Sequence, residues 1–308
     1  MTIFSIIFPL LSTVTLGYWV THFKFFTKAQ ISGVSKFAFN LSIPVFLFLN
    51  MYQAPLGKSF DIMVLAAFYL PVLGVYLIGF LFSRYLLDRG EGSNAKSGVF
   101  ALGCSYSNTV LVGLPVIIAA VGEQMMGNVF AIITFHSAVL FALTFMLSAK
   151  HADGAFSWRH FTKSMVLNPV VLSISSGLFC NAIALPIAED LMAALALISQ
   201  PALACALFVL GANLSVYKIA DDWLASMVVS VFKLLILPAL VYLCANYFLH
   251  LDEQLISVVV LLSASPLGVN AYLIATQLKQ QQSTLGSAVV LSTVLSVFSF
   301  SFWLWVLL

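Results

Sequence analysis

Ten stretches of about 20 apolar residues follow one another along the chain, with only short loops between them. A helix satisfies its own backbone hydrogen bonds, and a helix of that length crosses the hydrocarbon core of a bilayer. The sequence therefore predicts an all-α integral membrane protein with ten transmembrane helices. The predicted spans are 2–21, 34–53, 62–83, 97–121, 127–149, 164–184, 191–214, 223–249, 255–278 and 285–308.

The amino-acid composition excludes a water-soluble domain. The 308 residues are 62% hydrophobic and 8% charged, whereas a soluble domain carries about 25% charged residues. The net charge of +2 comes without any basic run, so the expected partner is the lipid bilayer and not nucleic acid. The four cysteines lie in apolar stretches at irregular spacing, which predicts neither a disulfide framework nor a metal site.

The basic residues predict the orientation of the spans. Eleven of the 13 Lys and Arg residues fall in odd-numbered loops, and Lys58 alone falls in an even-numbered one. Basic loops stay in the cytoplasm, so both termini are expected outside. Residues 1–21 lack a basic region before the apolar run, which favours a first span over a cleavable signal peptide. With such short loops, we expect a plasma membrane, namely a bacterial inner membrane.

Five spans on each side of the central basic loop predict two halves, 1–149 and 150–308. An odd number of spans makes the second half enter the membrane with opposite topology, as in the inverted repeats of secondary transporters. The fourth span contains CSYSNTVLVGLPV (104–116) and the ninth contains LLSASPLGVNAYLIATQ (261–277). Both place helix-breaking and polar residues near mid-membrane, where non-helical backbone must be buried in protein or line a cavity. A matched pair of broken helices indicates a central binding site, and close packing by small residues is the alternative.

Four segments resemble the auxin efflux carrier family, the bacterial permeases related to plant auxin exporters. They are SKFAFNLSIPVFLF (35–48), SNTVLVGLPV (107–116), VFKLLILPAL (231–240) and ASPLGVNAYLIA (264–275). The resemblance covers the whole chain. It implies a bile acid/sodium symporter-like fold of two inverted five-helix repeats, in which broken helices 4 and 9 cross near the substrate.

The resemblance also implies two domains with different functions. Helices 1, 2, 6 and 7 would form a scaffold domain that dimerises, and helices 3–5 and 8–10 would form a transport domain moving by an elevator-type alternating-access mechanism. Relatives carry organic anions, either auxin or malate- and malonate-like dicarboxylates. One departure is that Ser107 stands where plant relatives commonly have a Pro before the Asn of the first crossing. This Ser predicts a softer first break.

The breaks suggest how an anion would be bound. A half-helix that begins in mid-membrane presents unpaired N–H groups and a partial positive charge to an anion. Asn108 is the expected amide donor to a carboxylate, and capping of the broken helix is its alternative role. The other candidate substrate-binding residues at the two crossings are Ser107, Thr109, Gly113, Pro266, Gly268 and Asn270.

Three further residues are candidates outside the two breaks. Lys233 is the only formally charged residue well inside a span. It would attract the anion or tie its helix to an unwound carbonyl, and snorkelling to the interface is the alternative. Asn40 is expected to line the site from the scaffold, since Pro44 follows it. His136, inside the fifth span, could carry a coupling proton or act as a neutral hydrogen-bonding group.

Taken together, these features predict a secondary transporter for a small organic anion, auxin-like or dicarboxylate. No acidic residue stands out within the spans, so a cation would find no counter-charge. No cofactor is expected. Sodium remains open as a coupling ion, with Ser105 and Ser265 as candidate ligands. The alternative is a membrane sensor that binds an organic anion without transporting it. Enzymes and ATP-driven pumps are disfavoured, because GxSxG, HExxH and GxxxxGK[ST] are all missing from the sequence.

Overall fold

The computed structural model describes residues 3–54, 61–90, 92–148, 167, 169–215 and 223–308, with side chains from residue 8 onward. Within these residues the chain forms helices and no β-strand. We number the helices α1 Ile3–His22, α2 Lys28–Gln53, α3 Ile62–Leu87, α4 Asn94–Ser105, α5 Thr109–Ala120, α6 Glu123–Ser148, α7 Pro169–Ala182, α8 Glu189–Leu214, α9 Trp223–Phe248, α10 Glu253–Ala264, α11 Val269–Leu278 and α12 Gln282–Leu307.

Six of these helices are long and apolar enough to cross a membrane: α2, α3, α6, α8, α9 and α12. Three more, α5, α7 and α10, are apolar but shorter. This confirms the prediction of an all-α membrane protein. The predicted fourth span (97–121) is occupied by the pair α4 and α5, and the predicted ninth span (255–278) by α10 and α11. The basic residues of the central loop, and also Lys58 and Lys218, lie outside the described residues.

Three prolines each follow a single wide π-helical turn. Ala38–Ser42 precedes Pro44, Thr109–Gly113 precedes Pro115, and Phe232–Ile236 precedes Pro238. A proline has no N–H and its ring pushes on the carbonyl one turn earlier, so a wider turn lets the helix continue. Pro44 and Pro238 both lie within predicted spans, and α2 and α9 continue past them.

The described residues form two compact units. The first lies within Met1–Asp61, Gly122–Thr134 and Trp158–Val216, and contains α1, α2, α7, α8 and the first part of α6. In it α1 packs on α8 and α2 packs on α7. Glycines permit both contacts: a methyl group at Gly211 would overlap the Val14 carbonyl oxygen, and one at Gly177 would lie 2.5 Å from the Phe48 oxygen.

The second unit lies within Ile62–Val121, Phe135–Ser157 and Tyr217–Leu308. In it α3 packs on α4, while α9 packs on α10 and α12. The halves of the two interrupted spans exchange partners, because α5 packs on α10 and α11 packs on α4. Neither unit coincides with a predicted half, 1–149 or 150–308, since each draws helices from both.

Candidate functional site

Two short extended segments cross between the ends of four helices in the second unit. The first runs from the end of α4 at Ser105 to the start of α5 at Thr109, and the second from the end of α10 at Ala264 to the start of α11. Ser107 and Leu267 form an antiparallel β-bridge at their centre. The crossing is therefore a specific backbone contact between two broken helices.

Two backbone hydrogen bonds join the segments. The Asn108 N–H donates to the Pro266 oxygen at 2.8 Å, and the Gly268 N–H donates to the Tyr106 oxygen at 3.3 Å. Backbone groups freed from a helix inside a membrane need partners, and here each broken helix supplies them to the other.

Local sequence explains where each helix stops. Ser265 has the extended conformation (φ −59°, ψ 146°) that a following proline favours, so α10 ends before Pro266. Asn108 (φ −77°, ψ 67°) is the central residue of an inverse γ-turn closed by the bond from the Thr109 N–H to the Ser107 oxygen at 2.9 Å. The first break therefore forms without a proline at position 107. That it is softer than the second break stays a prediction.

Glycines let the crossing close. A methyl group at Gly268 would overlap the ring of Tyr106, and one at Gly113 would lie 2.7 Å from the Ser265 hydroxyl oxygen. Both glycines were predicted at the site on other grounds, and the structure gives them a steric role there.

The two bridge residues point their own N–H groups away from each other, and a side chain accepts each one. The Ser107 N–H donates to His136 Nε2 at 2.9 Å, from α6, and the Leu267 N–H donates to the Ser292 hydroxyl at 3.0 Å, from α12. His136 was predicted as a proton carrier or a neutral hydrogen-bonding group, and it makes the hydrogen bond of the second role. Ser292 gave no sequence signal, because it is one of several hydroxyls along an apolar helix.

Tyr106 is a site residue that the sequence did not single out. Its ring stacks on His136 with centroids 4.9 Å apart, and its hydroxyl bonds Ser137 at 2.8 Å and accepts from Asn270 Nδ2 at 3.3 Å. An aromatic residue next to the polar SNT triplet was the available signal.

The oxygen and the nitrogen of the Asn108 side chain differ in their hydrogen bonding. Its oxygen accepts the Leu111 N–H at 3.3 Å and so caps α5, as the alternative role predicts. Its Nδ2 has no hydrogen-bond partner among the residues that the structure describes, although Asn108 is only 6% exposed. Within the same residues, the hydroxyl of the neighbouring Ser107 also lacks a partner. A buried donor without an acceptor is costly, so a ligand atom is the natural partner for Nδ2.

The start of α11 lies on the other side of the bridge. Among the described residues no side chain caps it, and the Ala271 N–H donates to the Gly268 oxygen at 3.0 Å. The N–H groups of Val269 and Asn270 are therefore the first-turn donors that an anion could use. In the antiparallel bridge Asn108 lies opposite Pro266 and Gly268 lies opposite Tyr106. Gly268 therefore has the position in the second segment that Asn108 has in the first, and Asn270 lies two residues farther along. The Asn270 side chain is exposed, whereas Thr109 at the start of α5 is buried.

Lys233 is fully buried on α9, and its Nζ donates to the Ser263 carbonyl oxygen at 2.5 Å. Ser263 lies in the last turn of α10, where carbonyls have no helical partner and a positive charge is favourable. The snorkelling alternative is thus wrong, and the expected tie to a carbonyl of a broken helix is observed.

The candidate coupling-ion residues and Asn40 occupy separate places. The hydroxyls of Ser105 and Ser265 are buried and donate to carbonyls of their own helices, those of Ala101 and Leu261. Asn40 is exposed in the π-helical turn of α2, which belongs to the first unit. Its place in the binding site stays a prediction. Across the described residues, no group of three or more His, Cys, Asp and Glu side chains could hold a metal ion.

Comparison with known proteins gives the context for this site. A family model described as membrane transport protein matches residues 2–304. A protein of Rhizobium meliloti (strain 1021) named "Putative malonate transporter" is 21% identical over 298 residues, which cover 95% of this chain and 92% of that protein. Auxin efflux carrier component 8 of Arabidopsis thaliana is 25% identical over 151 residues, covering 48% and 41%.

The match spans both units and both crossing segments, and neither relative is named as an enzyme. The chain therefore belongs to the membrane transport protein family that includes the auxin efflux carriers, and it is a multi-pass membrane transporter.

Proposed function

We propose that the protein carries a small organic anion and binds its carboxylate at the crossing of the broken helices. The observation that carries this proposal is the Nδ2 of buried Asn108, which has no hydrogen-bond partner among the described residues. The N–H of Asn108 donates to Pro266, three residues before α11 begins with no side-chain cap. An amide N–H and helix N-terminal N–H groups are the donors that suit a carboxylate.

The distribution of charge favours an anion as the cargo. Among the described residues, Lys233 is the only formally charged residue buried inside a predicted span. The side chain of Asp88, 8% exposed, lies just after α3 and pairs with Lys96. A cation would find only dipoles inside the spans, whereas an anion would be attracted by both the ammonium group and the helix N-termini. The names of the two relatives refer to malonate and to auxin, which are both carboxylic acids.

The arrangement of helices supports ten spans in two inverted repeats. Counting α4 with α5 and α10 with α11 gives five spans in each half. In the first unit, α1 of one half packs on α8 of the other, and α7 packs on α2. Ser107 and Leu267 are braced in the same way by the last helix of their respective halves. Such reciprocal contacts are what a twofold relation between repeats produces.

We infer an elevator-type mechanism from the division into two units. The first unit contains the helices expected in a scaffold, and the second contains both crossing segments, so the bound anion would travel with the second unit. Dimerisation through the scaffold, an outward position of both termini, and coupling to sodium or a proton remain predictions.

The sharpest test replaces Asn108 by Asp. An Asp carboxylate keeps the oxygen that caps α5 but replaces the unpaired donor with a negative charge, so the fold is retained while an anion is repelled. We expect Asn108→Asp to lower the uptake of labelled mono- or dicarboxylates into proteoliposomes at least about a hundredfold. The measurement is run with and without sodium and pH gradients, which also tests coupling.

Asn108→Ser is the matched control, because Ser caps a helix and carries a neutral hydroxyl donor. It should retain more uptake than Asn108→Asp at equal melting temperature. Equal uptake by wild type and Asn108→Asp would remove the site from this residue. Anions that raise the melting temperature but never cross the membrane would favour the sensor alternative.

A further inference from the structure

We infer that His136 is a positioning residue whose neutral imidazole sets the first crossing by accepting the N–H of Ser107. The consequence for transport rests on the proposed function, but the consequence for stability does not.

The contact between Ser107 and His136 is one hydrogen bond, and both residues are buried. His136 is 1% exposed and Ser107 is 1% exposed, and the donor–acceptor distance is 2.9 Å. The N–H of a bridge residue turned away from its partner segment has no backbone acceptor there, so without His136 it would be an unpaired buried donor. Such a donor destabilises the conformation that buries it.

The bond also fixes the protonation state of the ring. Nε2 must be unprotonated to accept, so the single proton of the neutral ring lies on Nδ1. Nδ1 has no partner in the part of the chain that the structure describes. A charged imidazolium would lose the Ser107 bond and hold two unpaired donors, so the crossing requires the neutral form.

The surroundings hold the ring in place. Tyr106 stacks on it at 4.9 Å, Phe68 meets it edge-on at 5.5 Å, and Tyr69 lies at 6.4 Å. Among the described residues of the second unit, Lys233 on α9 is the other buried basic side chain, and a second buried positive charge would be unfavourable. The titratable groups around the ring are thus Tyr69, Tyr106 and Lys233.

The second crossing segment has a corresponding hydrogen bond, so a side chain that accepts the N–H of the bridge residue, here called the brace, occurs in both segments. Leu267 occupies the equivalent bridge position, and its N–H is accepted by Ser292 from the corresponding helix of the other half. A buried N–H that has no backbone acceptor thus occurs in both segments, and a different side chain accepts it in each. Only the acceptor in the first half can be switched off by a proton.

A substitution of Ser107 by Pro separates bracing from packing. Proline removes the N–H that needs an acceptor, and Tyr106 before it already has the extended conformation (φ −80°, ψ 116°) that a proline requires. The Cδ atom of a proline takes the place of the amide hydrogen and would overlap the imidazole, because Ser107 N lies 2.9 Å from His136 Nε2, so the comparison is made between Gln and Leu at position 136. If residue 136 serves the N–H, the advantage of Gln, which has an acceptor, over Leu should be present with Ser107 and absent in the Ser107→Pro background.

The experiment is a double-mutant cycle followed by melting temperature and by carboxylate uptake. His136→Leu should lower the uptake rate about tenfold and lower the melting temperature, because it strands the Ser107 N–H. In the Ser107→Pro background, His136→Gln and His136→Leu should differ in uptake by no more than about twofold. His136→Gln, whose amide oxygen can accept, should lie closer to wild type than His136→Leu. Ser292→Ala is the control, since its defect should persist in the Ser107→Pro background.

Two results would overturn the brace: the same advantage of His136→Gln over His136→Leu in both backgrounds, or equal defects of the Gln and Leu variants when Ser107 is present. Loss of uptake on acidification in wild type, absent from His136→Gln, would support the requirement for a neutral ring. If the melting cycle shows coupling but no carboxylate is transported, the proposed function fails and the brace stands. If carboxylates are transported and the cycle is additive, the brace fails alone.

Discussion

At the scale of single residues, the second unit buries polar groups that its own structure does not satisfy. Within the described part of the chain, Lys233 places an ammonium group in the interior with one carbonyl partner, and the Nδ2 of Asn108 has no partner. Burying a charge without a counter-charge costs more than one hydrogen bond returns. Side chains kept at such a cost inside a membrane serve a ligand or a change of state.

Lys233→Met tests whether that charge serves the anion. Methionine fills a similar space without the desolvation cost, so we expect the melting temperature to stay the same or rise while carboxylate uptake falls about tenfold or more. Lys36, exposed on α2, offers a control, and Lys36→Met should change neither quantity. A fall in melting temperature in step with uptake would instead make Lys233 a structural tie to α10.

At the scale of helices, the two units are built differently. In the first, glycines bring backbones together, so that Gly17 faces the Phe208 carbonyl and Gly211 faces the Val14 carbonyl across α1 and α8. Lipid provides no hydrophobic drive between helices, and close van der Waals contact at small residues replaces it. In the second, helices are interrupted and their ends bond each other.

Gly211→Ala should therefore destabilise the protein by more than about 3 kcal/mol, because a methyl group overlaps backbone that cannot move aside. Gly74→Ala, in α3, is the matched control. Nothing lies within 4 Å of the added carbon there, so the change should be neutral or stabilise by about 0.5–1 kcal/mol. Thermal melting in detergent measures both, and equal melting temperatures would contradict the packing argument.

At the scale of the complete chain, the proposed mechanism assigns one unit to anchoring and the other to carrying. Asn270 is exposed beside the crossing in the second unit, whereas Phe25, 79% exposed, follows α1 in the first. An alternating-access carrier exposes its binding site to each side in turn, and its scaffold does not. The basic loops further predict that Phe25 lies in the cytoplasm.

Cysteine labelling tests the mechanism and the orientation together. In a background with the four native cysteines replaced by Ser, Asn270→Cys should react with a membrane-impermeant thiol reagent from both sides of the membrane. Phe25→Cys should react from the cytoplasmic side only. Reaction of Asn270→Cys from one side under all substrate and ion conditions would contradict alternating access, and reaction of Phe25→Cys from outside would reverse the predicted orientation.

The class of the protein and the position of its breaks follow from local sequence alone. Apolar length and the scarcity of charge leave helices in a bilayer as the solution, because lipid cannot hydrogen-bond to an irregular backbone. For the same reason, Ser, Asn, Gly and Pro at 104–116 and 261–277 marked the two interruptions. Both features depend on neighbouring residues, so no knowledge of the folded chain is needed to find them.

The atoms that meet at the crossing follow from the fold and not from any local pattern. The bond from Ser107 to His136 joins residues 29 apart, and that from Lys233 to Ser263 joins residues 30 apart. The bridge from Ser107 to Leu267 connects the two halves of the chain. Ser292 has a role there that the sequence does not indicate, because a hydroxyl on an apolar helix gives the same pattern wherever it points. Tyr106 is marked by the polar residues beside it, but the sequence does not indicate which groups it contacts. Partners of a buried N–H are set by packing between helices, and that is a property of the folded chain alone.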